Sequence, residues 1–265
     1  MTREMSFRTE AAAEYDRAFS HVSAHFLPFL LRAARLAPGH RVLDVATGTG
    51  IAAEAALGVA GSSGTVCATD LSPEMVAKAR ERLASSPNVS VTVEDGQALS
   101  FPDRTFDAVL CSLGLMFFPD PAAAVAGFHR VLREGGRAAV SVLTAPERSY
   151  NGRINVVVAR HMPELAAAIT RTFALGDASK LRLLFDAAGF RDPEISTERH
   201  LFVLPSFDAY YGPFERGGGS TGQALASLPE PARRAVREEM RQKLGDRDGG
   251  PVEIEVEIRI ASGRR

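Results

Sequence analysis

Between residues 41 and 143, short apolar runs alternate with amphipathic segments, a pattern that predicts strands and helices in turn. Strands are expected over 41–46, 64–70, 88–94, 106–113 and 136–143, and helices over 50–57, 73–85 and 121–132. Ser72 suits the N-cap of the second helix and Pro73 its first turn, where a missing N–H costs little. The strand candidates are apolar on both faces, so they belong in a mostly parallel sheet covered by helices on each side. Right-handed crossovers then make this a doubly wound α/β sheet.

Residues 10–36 read as one or two helices, broken at Pro28, that lie against or over the C-terminal edge of that sheet. Beyond residue 145 the chain changes texture. A helix-prone stretch covers 151–172, an amphipathic helix covers 178–188 and stops at Gly189, and strands are expected over 193–203 and 252–261. Residues 207–245 read as loop and helix with a flexible run at Gly217, Gly218 and Gly219. The two late strands are expected to pair antiparallel at one edge of the same sheet, completing seven strands.

Composition narrows the function classes. The chain has 265 residues, 45% of them hydrophobic, and its 31 Lys and Arg nearly balance 32 Asp and Glu. The arginines are scattered and form no basic stripe that would follow a phosphate backbone, which argues against nucleic acid. Cys67 and Cys111 sit in strand candidates, read as buried thiols, and are too few for a disulfide framework. Arg3 and Arg8 are interrupted by Glu4, Glu10 and Glu14 without a following apolar stretch, so a cytoplasmic protein with no membrane insertion is expected.

The first strand runs through Asp44, Val45 and Ala46 into Thr47-Gly48-Thr49-Gly50 and then a helix. Such a turn lets backbone approach a ligand and presents free N–H groups. A tight turn with no ligand would look the same, and the third glycine of a dinucleotide fingerprint is missing, with Glu54 beyond Ala52. Asp70 ends the second strand and Asp95 follows the third. Each could be a turn former, but three successive polar turns at one sheet edge point to a binding site there.

The stretches VLDVATGTGIA from Val42, ATDLSPEMV around Asp70, DGQA from Asp95, FPDRTFDAVLCSLGLMFFPD from Phe101 and HRVLREGG from His129 together resemble a class I S-adenosylmethionine-dependent methyltransferase. The likeness is to the ubiquinone and menaquinone biosynthesis enzymes and to small-molecule methyltransferases of secondary metabolism, and it is strong over residues 15–143. It implies that Gly48 and Gly50 pass beneath the methionine part of S-adenosyl-L-methionine, with Ala46 and Thr47 in the same turn. Asp44 would approach the cofactor amino group. Asp70 would bind the ribose hydroxyls, flanked by Leu71 and Met75, and Asp95 the adenine amino group, with Gly96, Gln97 and Ala98 lining the adenine site. Ser112 and Leu113 would floor the space between cofactor and acceptor. The organisation implied is a single methyltransferase domain over 1–265: a helical cap (1–37), a cofactor-binding core (38–143), a substrate-side helical region (144–192), and a strand pair with a helical insertion (193–265).

Methyl transfer needs an in-line nucleophile, exclusion of water and, for some acceptors, a base. His21 and His161 are the candidate bases, each also readable as a packing or surface residue; His25 and His129 are read as structural. Tyr15, Phe19, Leu115, Met116, Phe117 and Tyr150 are candidate walls of a mostly apolar pocket for a small-molecule acceptor. No set of carboxylates suggests a metal, and no Asn-Pro-Pro-Tyr motif follows the fourth strand, where Cys111-Ser112-Leu113-Gly114 stands. O- or C-methylation is expected, with a homodimer through exposed helices as one assembly; the rival reading keeps the cofactor for another reaction, such as a cyclisation, or as a structural element.

Overall fold

The computed structural model describes residues 9–246 and 249–265, with side chains from residue 16 onward. Strands β1 (Arg41–Val45), β2 (Thr65–Asp70), β3 (Val89–Val93), β4 (Phe106–Ser112), β5 (Leu132–Leu143), β6 (Arg191–Leu204) and β7 (Val252–Arg264) form one seven-stranded sheet in the order β3-β2-β1-β4-β5-β7-β6. The first five are parallel; β7 runs antiparallel to β5, and β6 antiparallel to β7. The doubly wound expectation and the late antiparallel pair are both met.

The helices are α1 (Thr9–Ala33), α2 (Ile51–Ala60), α3 (Pro73–Leu83), α4 (Pro121–Val131), α5 (Gly152–His161), α6 (Ala166–Thr172), α7 (Ala178–Ala187), α8 (Phe207–Glu215), α9 (Gly219–Ser227) and α10 (Glu230–Lys243). Successive strand residues point to opposite faces. Val42, Ala108, Leu110 and Ala139 therefore enter a core shared with α1, α2, α3, α5 and α8 to α10, whereas Leu43, Val109, Cys111 and Val140 enter a second core under α4 and α7. All eight are fully buried, which for a Val or Leu is worth about 1.5 to 3 kcal/mol each. Among the described residues no helix is long and apolar enough to cross a membrane.

Four details differ from the pattern-based reading. Helix α1 is continuous through Pro28. Pro28 and Ala24, whose carbonyl loses its donor to the proline, are both exposed, so water can take that carbonyl. Strand β5 begins at Leu132 rather than Gly136, because a register shift opposite Phe106 and Ala108 absorbs Arg133 to Gly136 as a bulge. The 151–172 stretch splits into α5 and α6 around Pro163. The Gly217 to Gly219 run is a packed turn between α8 and α9, with Gly218 and Gly219 buried and positive φ at Gly217 and Gly219. Cys111 is buried as expected, and Cys67 is half-buried.

Candidate active site

Parallel strands deliver their C-terminal ends to one edge, and β1 lies between β2 and β4, where the winding of the sheet reverses. At that point β1 stops in Ala46 with φ 56°, β4 stops in Leu113 with φ 52°, and Gly48 and Gly50 follow with φ 57° and 88°. Non-glycine residues hold such angles only under constraint. Thr47 N donates to Thr69 O at 2.9 Å and Leu113 N to Ser141 Oγ at 3.0 Å, fixing both strand ends to their neighbours. A side chain on Gly114 would stand 2.6 Å from Ala46 Cβ, so the two ends touch across the switch point.

Asp44 is fully buried beneath the glycine turn. Thr47 Oγ1 donates to its Oδ2 at 2.5 Å, while Oδ1 is buried with no hydrogen-bond partner. Desolvation pushes the Asp44 carboxyl up to about 7, the Thr47 hydrogen bond and, more weakly, the Ala53 backbone N–H opposing the shift and the nearby Asp70 adding to it. Asp70 holds the turn itself: its two oxygens accept from Gly48 N and Ser72 N, both at 2.9 Å, and burial raises its pKa as well. Each carboxylate oxygen still has a lone pair to offer. Nothing approaches within 4 Å of where a Gly48 side chain would be, so the backbone there is open.

Beyond β3, Asp95 Oδ1 accepts from Gln97 N at 2.9 Å and the Gln97 amide at 3.1 Å, while Ala98 N closes on Asp95 O at 2.9 Å. Gln97 Oε1 accepts from Asp120 N at 2.7 Å, which joins this turn to the start of α4. Gly96 is required, since a side chain would meet the Phe118 ring and Val45 at 2.7 Å. Leu71 is 67% exposed beside Asp70, an apolar surface on which a flat ring could lie, and Met75 is buried one turn into α3. The half-buried Ser112 ends β4 opposite Ser141.

The walls divide. Phe19 meets Tyr150 and Phe214 edge to face at 6.3 and 5.5 Å, and Tyr150 meets His21, Phe202 and Tyr210 at 5.1 to 6.1 Å. Phe117 is 56% exposed after β4. Leu115 and Met116, expected as walls, pack instead into the core under α4, where Leu115 is fully buried. The side chain of Tyr15 lies outside the described residues. His21 keeps one exposed side, and burial of the other lowers its pKa. His161 is exposed at the C-terminal end of α5, about 14 Å along the helix from Gly152, which packs beside Pro146. His25 stacks on His200 with centroids at 3.7 Å, and His129 packs edge-on to Phe190.

One part of the site has no local sequence signal. Asp16 of α1 accepts from Thr49 Oγ1 and from Arg82, both at 2.6 Å, and Arg82 also donates to Thr49 O at 2.8 Å. Thr49 and Arg82 of α3 thus tie α1, at Asp16, to the glycine turn. Phe19 lies about one turn further along α1, so the same helix carries the aromatic cluster to the site.

Residues 42–136 match a family model described as a methyltransferase domain. An uncharacterised protein of Mycobacterium tuberculosis is 31% identical over 227 residues, covering 84% of this chain and 80% of its own. The ubiquinone/menaquinone biosynthesis C-methyltransferase UbiE of Cupriavidus taiwanensis is 31% identical over 172 residues, covering 64% of this chain and 69% of its own. The crystal structure of a putative methyltransferase from Bacillus halodurans superposes with a TM-score of 0.60 at 24% identity, covering 90% of this chain and 97% of that one.

The chain belongs to the class I S-adenosylmethionine-dependent methyltransferases, related to the UbiE-type and other small-molecule enzymes of that family. It is an S-adenosylmethionine-dependent methyltransferase acting on a small organic molecule. The residues present fit the cofactor: an unpartnered buried carboxylate oxygen suits its ammonium group, and the open backbone at Gly48 leaves room beside it.

Proposed function

We propose that the acceptor is a small or medium-sized, mostly apolar metabolite, aromatic or polyketide-like, methylated at oxygen or carbon. The bound cofactor supplies an electrophilic methyl group on a sulfonium. Asp44 would hold the cofactor ammonium, Asp70 the ribose hydroxyls, and Asp95 with Gly96 to Ala98 the adenine edge. Ala46, Thr47, Gly48 and Gly50 shape the turn beneath, and Ser112 and Leu113 floor the step toward the acceptor. The single observation that carries this placement of the cofactor is the buried, unpartnered Asp44 oxygen under a ligand-ready turn, because a lone carboxylate in that position is costly until a cation reaches it.

Phe19 and Phe117 offer the acceptor flat apolar surface and help exclude water, with the buried Tyr150 supporting Phe19 edge to face. Most of the chain's contribution to rate is then positioning. His21 beside Tyr150 is the side chain best placed to take a proton from a hydroxyl or carbon acid, since its lowered pKa keeps the imidazole neutral. We also read the protein as cytoplasmic, with no nucleic acid partner and with a homodimer formed through exposed helices.

Calorimetry with S-adenosylhomocysteine, followed by a labelled-methyl screen of aromatic and polyketide acceptors, tests the proposal. Label on an acceptor supports it; conversion of an acceptor without cofactor consumption favours the cyclase reading. Asp70→Ala should weaken cofactor affinity by about 2 kcal/mol or more, on the order of 30-fold, by removing charge-assisted hydrogen bonds. Unchanged affinity would remove Asp70 from the site.

A further inference from the structure

The edge of the sheet opposite the glycine turn carries a cleft of about 140 Å³ lined by Arg35, His40, Asp107, Arg133, Arg137 and Arg264, with Gly135 and Gly136 at its floor. These residues come from the end of α1, the approach to β1, the start of β4, the β5 bulge and the end of β7. Four arginines thus line one small space.

Their carboxylate partners do not use up that charge. Asp107 is buried with both oxygens committed, Oδ1 to Arg133 Nε and Oδ2 to Arg41 N at 2.6 Å. Glu194 offers the same Oε1 to Arg35 at 3.3 Å and to Arg137 at 3.0 Å. The carboxylate paired with Arg264 is Asp192, at 3.7 Å, beyond hydrogen-bond reach. Four arginines against Asp107, Glu194 and Asp192 leave one positive charge in excess. Arg137 is 5% exposed and donates from Nε to Ala33 O and from Nη2 to Glu194 and Ser262, while its Nη1 bonds to nothing among the described residues. His40 Nδ1 is buried there without a hydrogen-bond partner.

We propose that this cleft binds a small oxyanion of the phosphate class. Unfilled planar donors around an excess positive charge match the multiple oxygens of such an ion. The volume accommodates several water-sized groups but falls well short of the roughly 300 Å³ at which pockets for larger ligands begin, which excludes a nucleotide. An anion seated there would join elements that are distant in sequence, so it would bind only the folded chain and stabilise it.

The test uses the full chain with inorganic phosphate at constant ionic strength, chloride serving as the matched salt. Titration calorimetry and thermal unfolding are run on the wild type, Arg264→Gln and the Arg35→Gln/Arg264→Gln pair. Both guanidinium groups are well exposed, so their removal leaves the core intact. The expected result is one phosphate per chain, a melting temperature raised above the chloride control, and affinity weakened about tenfold for each arginine removed. S-adenosylhomocysteine affinity should stay the same in all three proteins. No phosphate heat in the wild type, or an equal rise in melting temperature in the double variant, would overturn the proposal.

Discussion

Asp44 combines stability and binding in one side chain. An acid whose folded-state pKa stands near 7, above its unfolded value near 4, favours the folded state most below pH 4. That contribution fades as pH rises through 7 and the buried carboxylate ionises. Asp44→Asn keeps an acceptor for Thr47 and removes the charge, so the ligand-free variant should melt higher than the wild type at pH 8, with a gain of up to a few kcal/mol. The same change should weaken S-adenosylhomocysteine binding at least tenfold. In the wild type affinity should fall between pH 8 and pH 6 as Asp44 takes a proton, and calorimetry across that range should find the variant nearly flat.

At the scale of elements, α1 reaches from Asp16 at the glycine turn to the Ala33 carbonyl, which accepts from Arg137 at the opposite edge. Its interior proline is tolerated because the freed carbonyl is wet, but the lost hydrogen bond is still a cost. Pro28→Ala should raise stability by about 1 to 3 kcal/mol, or roughly 2 to 4 °C per kcal/mol in a chain of this size; an unchanged or lower melting temperature would show that the ring has a packing role. The strands of the parallel core were legible because burial on both faces leaves continuous apolar runs, and Asp70 and Asp95 were legible because parallel strands must end together. The start of β5 was not, since Arg133, Glu134 and Gly135 break the period of two where the strand bulges. Leu115 was misplaced because the apolar run Leu113 to Phe118 has no period that tells core from cavity. Asp16, Thr49 and Arg82 meet only after the chain has folded, and no spacing announces them.

Across the whole molecule, the sheet outgrows its parallel core. Strand β5 pairs with β7 as far as Leu143 opposite Ile258, while β6 follows β7 on to Val252, six residues further and about 20 Å. On one side of this ribbon, Ile254 and Val256 support the aromatic cluster; on the other, Leu201 and Val203 are 47% and 62% exposed. Strand β6 is also the sheet edge, an arrangement prone to pairing with another chain unless charge interrupts it. Arg199, held by Glu257, supplies that interruption beside Leu201. Arg199→Val should therefore promote self-association, seen as an increased sedimentation coefficient at micromolar concentration; an unchanged coefficient would assign the protection to Glu198 and His200 instead.

The contact between Ala46 and Gly114 has a consequence over evolutionary time. Two neighbours with 2.6 Å between a side chain and the place where another would grow cannot drift independently. Glycine at 46 suits its positive φ and opens space, whereas alanine at 114 is accepted only afterwards. Gly114→Ala alone should therefore lower both melting temperature and cofactor affinity, Ala46→Gly alone should be mild, and the double variant should recover part of the loss in a double-mutant cycle, the buried Cys111 sulfur 3.1 Å from the new methyl holding back the rest. Of the two mutational routes between these states only one is passable, so descendants of this chain can exchange bulk across the junction in a single historical order.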